Sequence, residues 1–387
     1  MPNIVFLSQN KLFLASAGKS EEITSKFAQD IVDRALQIQQ KNEWKSQGGG
    51  AFGSNFVWGS KGQEGQAIPV RISAATRGAA DGVITYFLET DRIGGLFNYH
   101  TKEREESRLF HRESMHVSDL DRHPTSHELV CSLSQPGGIA NIARMDSDGH
   151  NLSEFTEGDS LDLAPSWVPD ETTKVVFQSA GVGRNNAGFP LGHGPFFIAE
   201  IDLETGAMDT LAEDDAFDLL LPKKDRKGNL YFIRRPYEPL GRPRASLLST
   251  LKDIVFFPFR LVRAFIHFFN VFSLFFSKKP LITAGGPQRP GPDAQSMILW
   301  GRYLDAEAML RNQKENDGAL VPRSWELVCR ASDGTEKVCA KSVASFDLTA
   351  SDEIIYTNGS KIFHRDSEDR RNVLLSSGLI QSVSVVS

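Results

Sequence analysis

The stretch NIARMDSDGHNLSEFTEGDSLDLAPSWVPDETTKVVFQSAG (Asn141–Gly181) decides the fold. An apolar run ends near Asp148-Gly149, a pair suited to a tight turn between antiparallel strands. A short strand closes at Phe155-Thr156, and PSWVPD (Pro165–Asp170) is a second turn that leads into the strongly apolar VVFQSAG. Short apolar runs bounded by Gly, Asp, Asn and Ser read as strands.

Working outward, the same unit recurs: an apolar strand, a polar turn, a strongly apolar strand, a third strand and a short closing strand. One copy runs from His116 to Thr156, and the next from Leu161 to Gly181, continuing over Gly194–Ala212. Val70–Phe110 precedes them; Phe217–Pro236, resumed much later, and Ser345–Leu375 follow. The chain opens with a unit lacking its first strand (Asn3–Thr24) and closes with a first strand lacking its unit (Gly378–Ser387). Joining the two makes a sixth. The expectation is an all-β, six-bladed β-propeller over residues 1–387, closed by pairing of the N- and C-terminal strands and carrying helical insertions. Closure of that kind removes sheet edges that would otherwise recruit other chains.

Asn141–Gly181 resembles the repeat of the TolB-type propellers, also called WD40-like (PD40) β-propeller repeats. Asp148-Gly149, Phe155-Thr156 and Pro165–Asp170 occupy that pattern's places. The resemblance implies a propeller fold and a general binding role, and it transfers no reaction.

Composition narrows the class. Apolar residues at 40% and charged residues at 24% are ordinary for a globular protein. A net charge of −6 gives no basic surface for nucleic acid, so none is expected as a partner. Three cysteines (Cys131, Cys329, Cys339) suit a reducing compartment better than a disulfide framework. The N-terminus lacks a basic region ahead of a sustained apolar run and reads as mature protein, so a bacterial cytoplasmic location is expected.

Three stretches interrupt the repeat. Residues 25–44 place Phe27, Ile31, Ala35 and Ile38 on one face, which predicts a helix lying over an apolar patch of the propeller. Residues 45–66 are Gly-rich and read as a loop. Residues 237–295 split the fifth blade, which is expected to resume at SMILWGRYL (Ser296–Leu304). Within that third insertion, nine phenylalanines fall between Ile254 and Phe276.

That aromatic run could cross a bilayer by length alone. Arg260 and Arg263 oppose this, since each costs about 2.5–3.5 kcal/mol near a bilayer centre. Topology decides the matter: both flanks belong to one blade, so a single crossing would divide it. The polar residues Ser249, Lys252, Asp253, Arg260, Arg263, His267, Asn270, Ser273 and Ser277 form a narrow stripe, predicting an amphipathic helix over 247–277. Phe256, Phe257, Phe259, Leu261, Phe265, Phe268, Phe269, Phe272, Phe275 and Phe276 would bury against an anionic membrane surface or a protein partner. Arg260, Arg263, Lys278 and Lys279 would face headgroups or partner acids. A helix packed back over the ring is the third option.

Motifs for chemistry are sparse. Neither G-x-S-x-G nor H-E-x-x-H occurs. Ser16–Ser20 (SAGKS) lacks the first glycine of a phosphate loop. His111, His116, His123 and His127, with Asp119 and Asp121, are the best metal candidates, but they straddle a blade boundary and read as loop and strand residues. Asp146–Gly149 (DSDG) reads as a turn rather than a calcium loop. Cys329 and Cys339 flank an Asp-Gly hairpin as free, neighbouring thiols. Asp159, Asp162, Asp214, Asp215 and Asp218 gather at blade junctions, where enzyme propellers bind ligands, yet no base faces a nucleophile. The expectation is a non-catalytic interaction scaffold with no cofactor, metal or catalytic residue. The alternative is a propeller lyase or hydrolase acting at the central channel rim.

Overall fold

The computed structural model describes residues 2–16, 18–34, 37, 70–239, 296–299, 302–305 and 317–386. The chain divides into two compact units, one of Met1–Glu238 with Met297–Ser387 and the other of Pro239–Ser296. The described residues fall almost wholly in the first, which is all-β and strand-rich.

Strands β1 (Ile4–Ser8), β2 (Lys11–Ser16) and β3 (Lys19–Ile23) pair in chain order. β4 (Arg71–Arg77), β5 (Val83–Glu89), β6 (Ile93–His100) and β7 (Glu105–Glu113) form the next meander. β8 (Val117–Arg122), β9 (Leu129–Gln135), β10 (Ile139–Met145) and β11 (Ser153–Glu154) repeat it. β12 (Ser160–Trp167) and β13 (Lys174–Arg184) follow, with β14 (Pro190–His193) pairing the far end of β13. β15 (Phe197–Asp202) and β16 (Met208–Ala212) complete that sheet.

β17 (Phe217–Lys224) pairs with β18 (Leu230–Pro236). β19 (Ser296–Leu299) and β20 (Arg302–Asp305) make a separate two-stranded sheet. β18 finds its next neighbour in β21 (Glu326–Arg330), which pairs with β22 (Glu336–Lys341). The blade therefore resumes at Glu326 rather than at Ser296. Both segments have the alternation of a strand; register against Leu230–Arg234 picks the later one. β23 (Ser345–Leu348), β24 (Ile354–Thr357), β25 (Lys361–Arg365) and β26 (Arg371–Ser376) form the last meander, and β27 (Ile380–Val385) stands after it.

β27 pairs antiparallel with β1, from Ile4 opposite Val385 to Ser8 opposite Ile380. The two ends of the chain thus share the sheet β27-β1-β2-β3. Its residues explain why. Ile4, Phe6, Ile380 and Val383 are buried on one face with Ile355 and Ile362, while Val5, Leu12 and Ile23 pack on the other with Ile84 and Tyr86. Each fully buried side chain of this kind contributes about 1.5–3 kcal/mol, which left to solvent would be lost.

The other apolar clusters lie between consecutive meanders, of which β8–β11 and β12–β16 are joined into one nine-stranded sheet where β10 pairs with β12. Phe87, Leu96, Leu129 and Met145 join β4–β7 to β8–β11, and Val130, Ile142, Val175 and Phe177 join the latter to β12–β16. Gly149, in the Asp-Gly turn after β10, has φ +83, and a Cβ there would sit 2.2 Å from Cε1 of Phe110. Only glycine meets both demands.

Residues 26–34 are helical, inside the expected 25–44. Ser25 caps the helix: its Oγ accepts from Ala28 N at 3.1 Å. Phe27 packs on Phe97 with ring centroids 5.1 Å apart, so the start of this helix covers the sheet as its apolar face requires. The Gly-rich 45–66 and most of the 237–295 insertion, including 247–277, lie outside the described residues.

Candidate interaction face and the charged cluster opposite it

Call β27, β4, β8, β12, β17 and β23 the first strands of their sheets. Side chains link neighbouring first strands in parallel. Asp119 and Asp121 on β8 accept from Ala164 N (3.1 Å) and Trp167 N (3.0 Å) on β12. Ser345 and Asp347 on β23 likewise accept from Val383 N (3.2 Å) and Val385 N (2.7 Å) on β27. Parallel first strands give these sheets a starting end and a finishing end. Antiparallel order then puts every second-to-third and fourth-to-first connection at the starting end.

All of the long excursions leave from there. Residues 24–70 join β3 to β4, residues 237–325 join β18 to β21, and the β13–β14 hairpin extends a second-to-third connection. β13 outruns β12, whose Ser160 pairs with Gly181, so Val182–Arg184 pair with β14 instead. The projecting hairpin exposes Phe189 (67%) and Leu191 (65%), the two most exposed large apolar side chains among the described residues. It is nonetheless braced. Arg184 reaches Asp159 Oδ1 at 2.6 Å and the Gly137 carbonyl at 3.1 Å, and that guanidinium holds the Asp159 carboxyl below the usual carboxylate range. Asn185 Oδ1 accepts from Ala187 N and Phe189 N, closing the tip.

The base of the hairpin is tied to the place where the chain departs. The Tyr237 hydroxyl donates to the His193 carbonyl at 2.6 Å, and His193 lies 4.8 Å from the Phe196 ring. Beneath them Asp218 accepts from Arg235 Nε at 2.9 Å and from Phe196 N at 3.2 Å, all buried. The Arg235 guanidinium also stacks 5.0 Å over Trp325, just before β21. Departure at Tyr237 and return at Trp325 are therefore held on one sheet.

The finishing end is different. Its connections are short turns, several closed by an aspartate: Asp225 Oδ1 accepts from Lys227 N and Asn229 N, and Asp366 Oδ1 from Glu368 N and Arg370 N. Charged groups also converge here. Lys223 Nζ lies 3.0 Å from Asp347 Oδ1. Burial works against the Lys223 ammonium, but Asp347 and Asp121 outweigh it and raise its pKa.

At the same end Arg122, 1% exposed, donates to the carbonyls of Arg77, His127 and Ser147 and to Thr85 Oγ1. Burial pushes its guanidinium down to about 10. Two first strands bulge near this end, between Leu163 and Ser166 and between Leu220 and Lys223, with Ala164 and Leu221 at φ 50 and 54. Gln178 Oε1 accepts from Leu221 N at 2.7 Å and supports that strained turn.

The structure disperses the sequence candidates. His116 pairs with Glu89 at 3.0 Å at the starting end. His123 is buried edge-on to Trp167 and accepts from Ser126 N at 2.9 Å, with burial lowering its pKa. His111 is exposed on β7, and His127 lies in the turn before β9 with φ 62. Among the described residues no group of three or more His, Cys, Asp or Glu is arranged to hold a metal. Asp146 closes its own turn through Asn151 Nδ2 at 2.6 Å. Asp162 accepts from Ser179 Oγ at 2.6 Å, Asp214 caps Ala216 N at 2.8 Å, and Asp215 is exposed.

The aromatic and cationic set Phe256–Lys279 lies outside the described residues. Among those described, no helix is long and apolar enough to cross a membrane. Sequence reasoning missed Arg122, the Lys223–Asp347 pair and the hairpin. Exposed Phe and Leu in the Gly/Asn-rich stretch 181–194 was the available signal for the last.

No family model and no curated protein matches the chain. Solved structures do. TolB from Acinetobacter baumannii aligns over 99% of this chain at 10% identity and a TM-score of 0.48; the chain spans 66% of that protein's length. A nidogen/laminin complex chain aligns over 100% of this chain and 99% of its own at 8% identity, TM-score 0.49. An oligogalacturonate lyase in complex with manganese aligns over 79% and 69% at 10% identity, TM-score 0.38. These likenesses, at 8–10% identity and TM-scores of 0.38–0.49, carry no role, ligand or site over to this chain.

Proposed function

We propose that this protein is a non-catalytic interaction scaffold: a six-bladed propeller, closed through β27 and β1, that presents its starting end to a protein partner. The carrying observation is that the long excursions all depart from one end, where the braced β13–β14 hairpin exposes Phe189 and Leu191. Closure of the ring is supported by the first strands, which touch in the cycle β4, β8, β12, β17, β23, β27 and back to β4. In this reading the aromatic segment 247–277 supplies the largest apolar contact, since so much Phe surface is unfavourable in water. The protein works in the cytoplasm, with an anionic inner membrane face as the competing site of attachment.

The test uses the full chain and a version in which Leu247–Lys279 is replaced by a short Gly/Ser linker. Both are passed over cell extract for partner capture and floated with anionic and neutral liposomes at low and high salt. The reading expects a folded, more soluble deletion protein that has lost partner capture. Flotation of the full chain alone on anionic vesicles would instead select the membrane. Retention of both activities after the deletion would overturn the role of the segment. The enzyme alternative, a lyase or hydrolase at the channel rim, would place its chemistry in the cluster around Lys223, Asp121 and Asp347. Stoichiometric metal in elemental analysis of purified protein would favour it.

A further inference from the structure

Three adjacent strands bring two thiols and a phenol together. Tyr231 on β18 stands directly opposite Cys329 on β21. On the other side β21 pairs with β22 through a bulge: Leu327 faces Ala340 while Val328 faces Val338, which leaves Cys339 as the extra residue. The bulge turns Cys339 inward, 9% exposed, into the cluster against which Tyr231 and Cys329 also pack. These registers put the two thiols and the Tyr231 phenol next to one another on the same face, where the Cys339 thiol donates to the Lys337 carbonyl at 3.8 Å. Cys329 is only partly buried, in contrast to Cys339.

We propose that Cys329 and Cys339 form a peroxide-reactive dithiol on the outer half of this sheet, with Cys329 as the attacking sulfur and Cys339 as the resolving one. Burial separates their roles: Cys329 is partly open, whereas Cys339 is 9% exposed. The neighbouring Cys339 thiol, then the Tyr231 hydroxyl and the Lys337 charge, favour a lowered Cys329 pKa against burial and Asp225, and the same proximity with burial favours a retained proton on Cys339. A thiolate fraction at Cys329 and a retained proton at Cys339 are what the two steps need.

In the first step the Cys329 thiolate attacks one oxygen of a hydroperoxide. The O–O bond breaks, and the departing alkoxide or hydroxide takes a proton, leaving Cys329 as a sulfenic acid. In the second, Cys339 sulfur attacks the sulfenic sulfur, the S–O bond breaks, and hydroxide leaves with the Cys339 proton as water. Two thiols and one hydroperoxide thus become a disulfide, an alcohol (water, for hydrogen peroxide) and water. The sulfur pair supplies both electrons, and an external thiol restores the dithiol by exchange.

Cys131 is the internal control: fully buried, with burial pushing its thiol up to about 12. The experiment treats the purified full chain with hydrogen peroxide and maps peptides under non-reducing conditions. The expected product is a Cys329–Cys339 disulfide, lighter than the starting protein by two hydrogens, with Cys131 unmodified. In Cys339→Ser a sulfenic acid persists at Cys329 and is trapped by a cyclic dione, while Cys329→Ser leaves Cys339 unreacted. Iodoacetamide at pH 7 should label Cys329 at least ~10-fold faster than Cys131. Equal labelling of the two, crosslinks only between molecules, or oxidation of Cys339 in Cys329→Ser would overturn the assignment. Should a serine variant misfold, the time course of the unaltered protein decides alone: the sulfenic acid must appear at Cys329 before the disulfide.

Discussion

The two ends of the sheets are built by different rules. At the finishing end the connections are short, their backbone groups are met by Asp225, Asp366 and Arg122, and charges pair across first strands. At the starting end the chain leaves for long excursions, and a braced hairpin holds apolar residues in solvent. Polar satisfaction holds a structure in one conformation, whereas an exposed apolar surface on a rigid base stabilises nothing until something covers it. Under the proposed function, the contrast puts structural duty at one end and recognition at the other.

Arg122→Ala tests the first half most severely. It strips a donor from the carbonyls of Arg77, His127 and Ser147, and stability in urea should fall by about 3 kcal/mol. A loss below about 0.5 kcal/mol, the range of ordinary surface changes, would mean that water replaces it and that the finishing end is not locked. Asp121→Ala removes the acceptor for Trp167 N and Ser166 Oγ and one counter-charge of Lys223; about 2 kcal/mol is expected from the same titration.

Asp119 sharpens the contrast through pH. Burial raises its pKa, and the bonds from Ala164 N and Ser118 only partly offset this. As pH rises from the ordinary carboxylate value through the raised one, the folded state keeps a proton that the unfolded state has lost. Stability contributed by this group therefore falls across that window and stays lower above it. Asp119→Asn should remove the decline, so chemical-denaturation midpoints of variant and parent converge in acid and separate, variant above parent, toward neutrality. A constant difference at every pH would show that the carboxyl is ionised throughout.

The smallest stability effect belongs to the starting end. Phe189→Ser with Leu191→Ser should shift the unfolding free energy by no more than about 0.5 kcal/mol, because both side chains are already in water. Partner capture should weaken at the same time. A loss above about 2 kcal/mol would make the hairpin a structural element and erase the distinction between the ends.

Much of this was readable from residues. Asp148-Gly149 announced its turn because glycine alone tolerates that φ and the approach of Phe110. The spacing of Phe27 and Ile31 announced a helix, and the structure adds the Ser25 cap that starts it. The aspartates at blade junctions were visible as a group, but their partners were not: Asp159 meets Arg184 and Asp218 meets Arg235, 25 and 17 positions apart along the chain. The His111–His127 run shows the converse, since its histidines are close in sequence and yet take separate partners, His116 with Glu89 and His123 with Trp167. The return of the blade at Glu326 rather than Ser296 was hidden for a related reason. Two segments alternate equally well, and only the register available beside β18 separates them.

The sequence by itself determined the strand alternation, the turns, and the matching incomplete units at the two ends of the chain that meet as β27 and β1. Those are properties of local periodicity and of apolar surface that has to be buried somewhere. The tertiary structure alone decided which carbonyls Arg122 serves, how a bulge sets Cys339 beside Cys329, and that the excursions share one end. Such pairings depend on register between strands far apart in the chain, and a side chain's own neighbours in sequence carry no record of it.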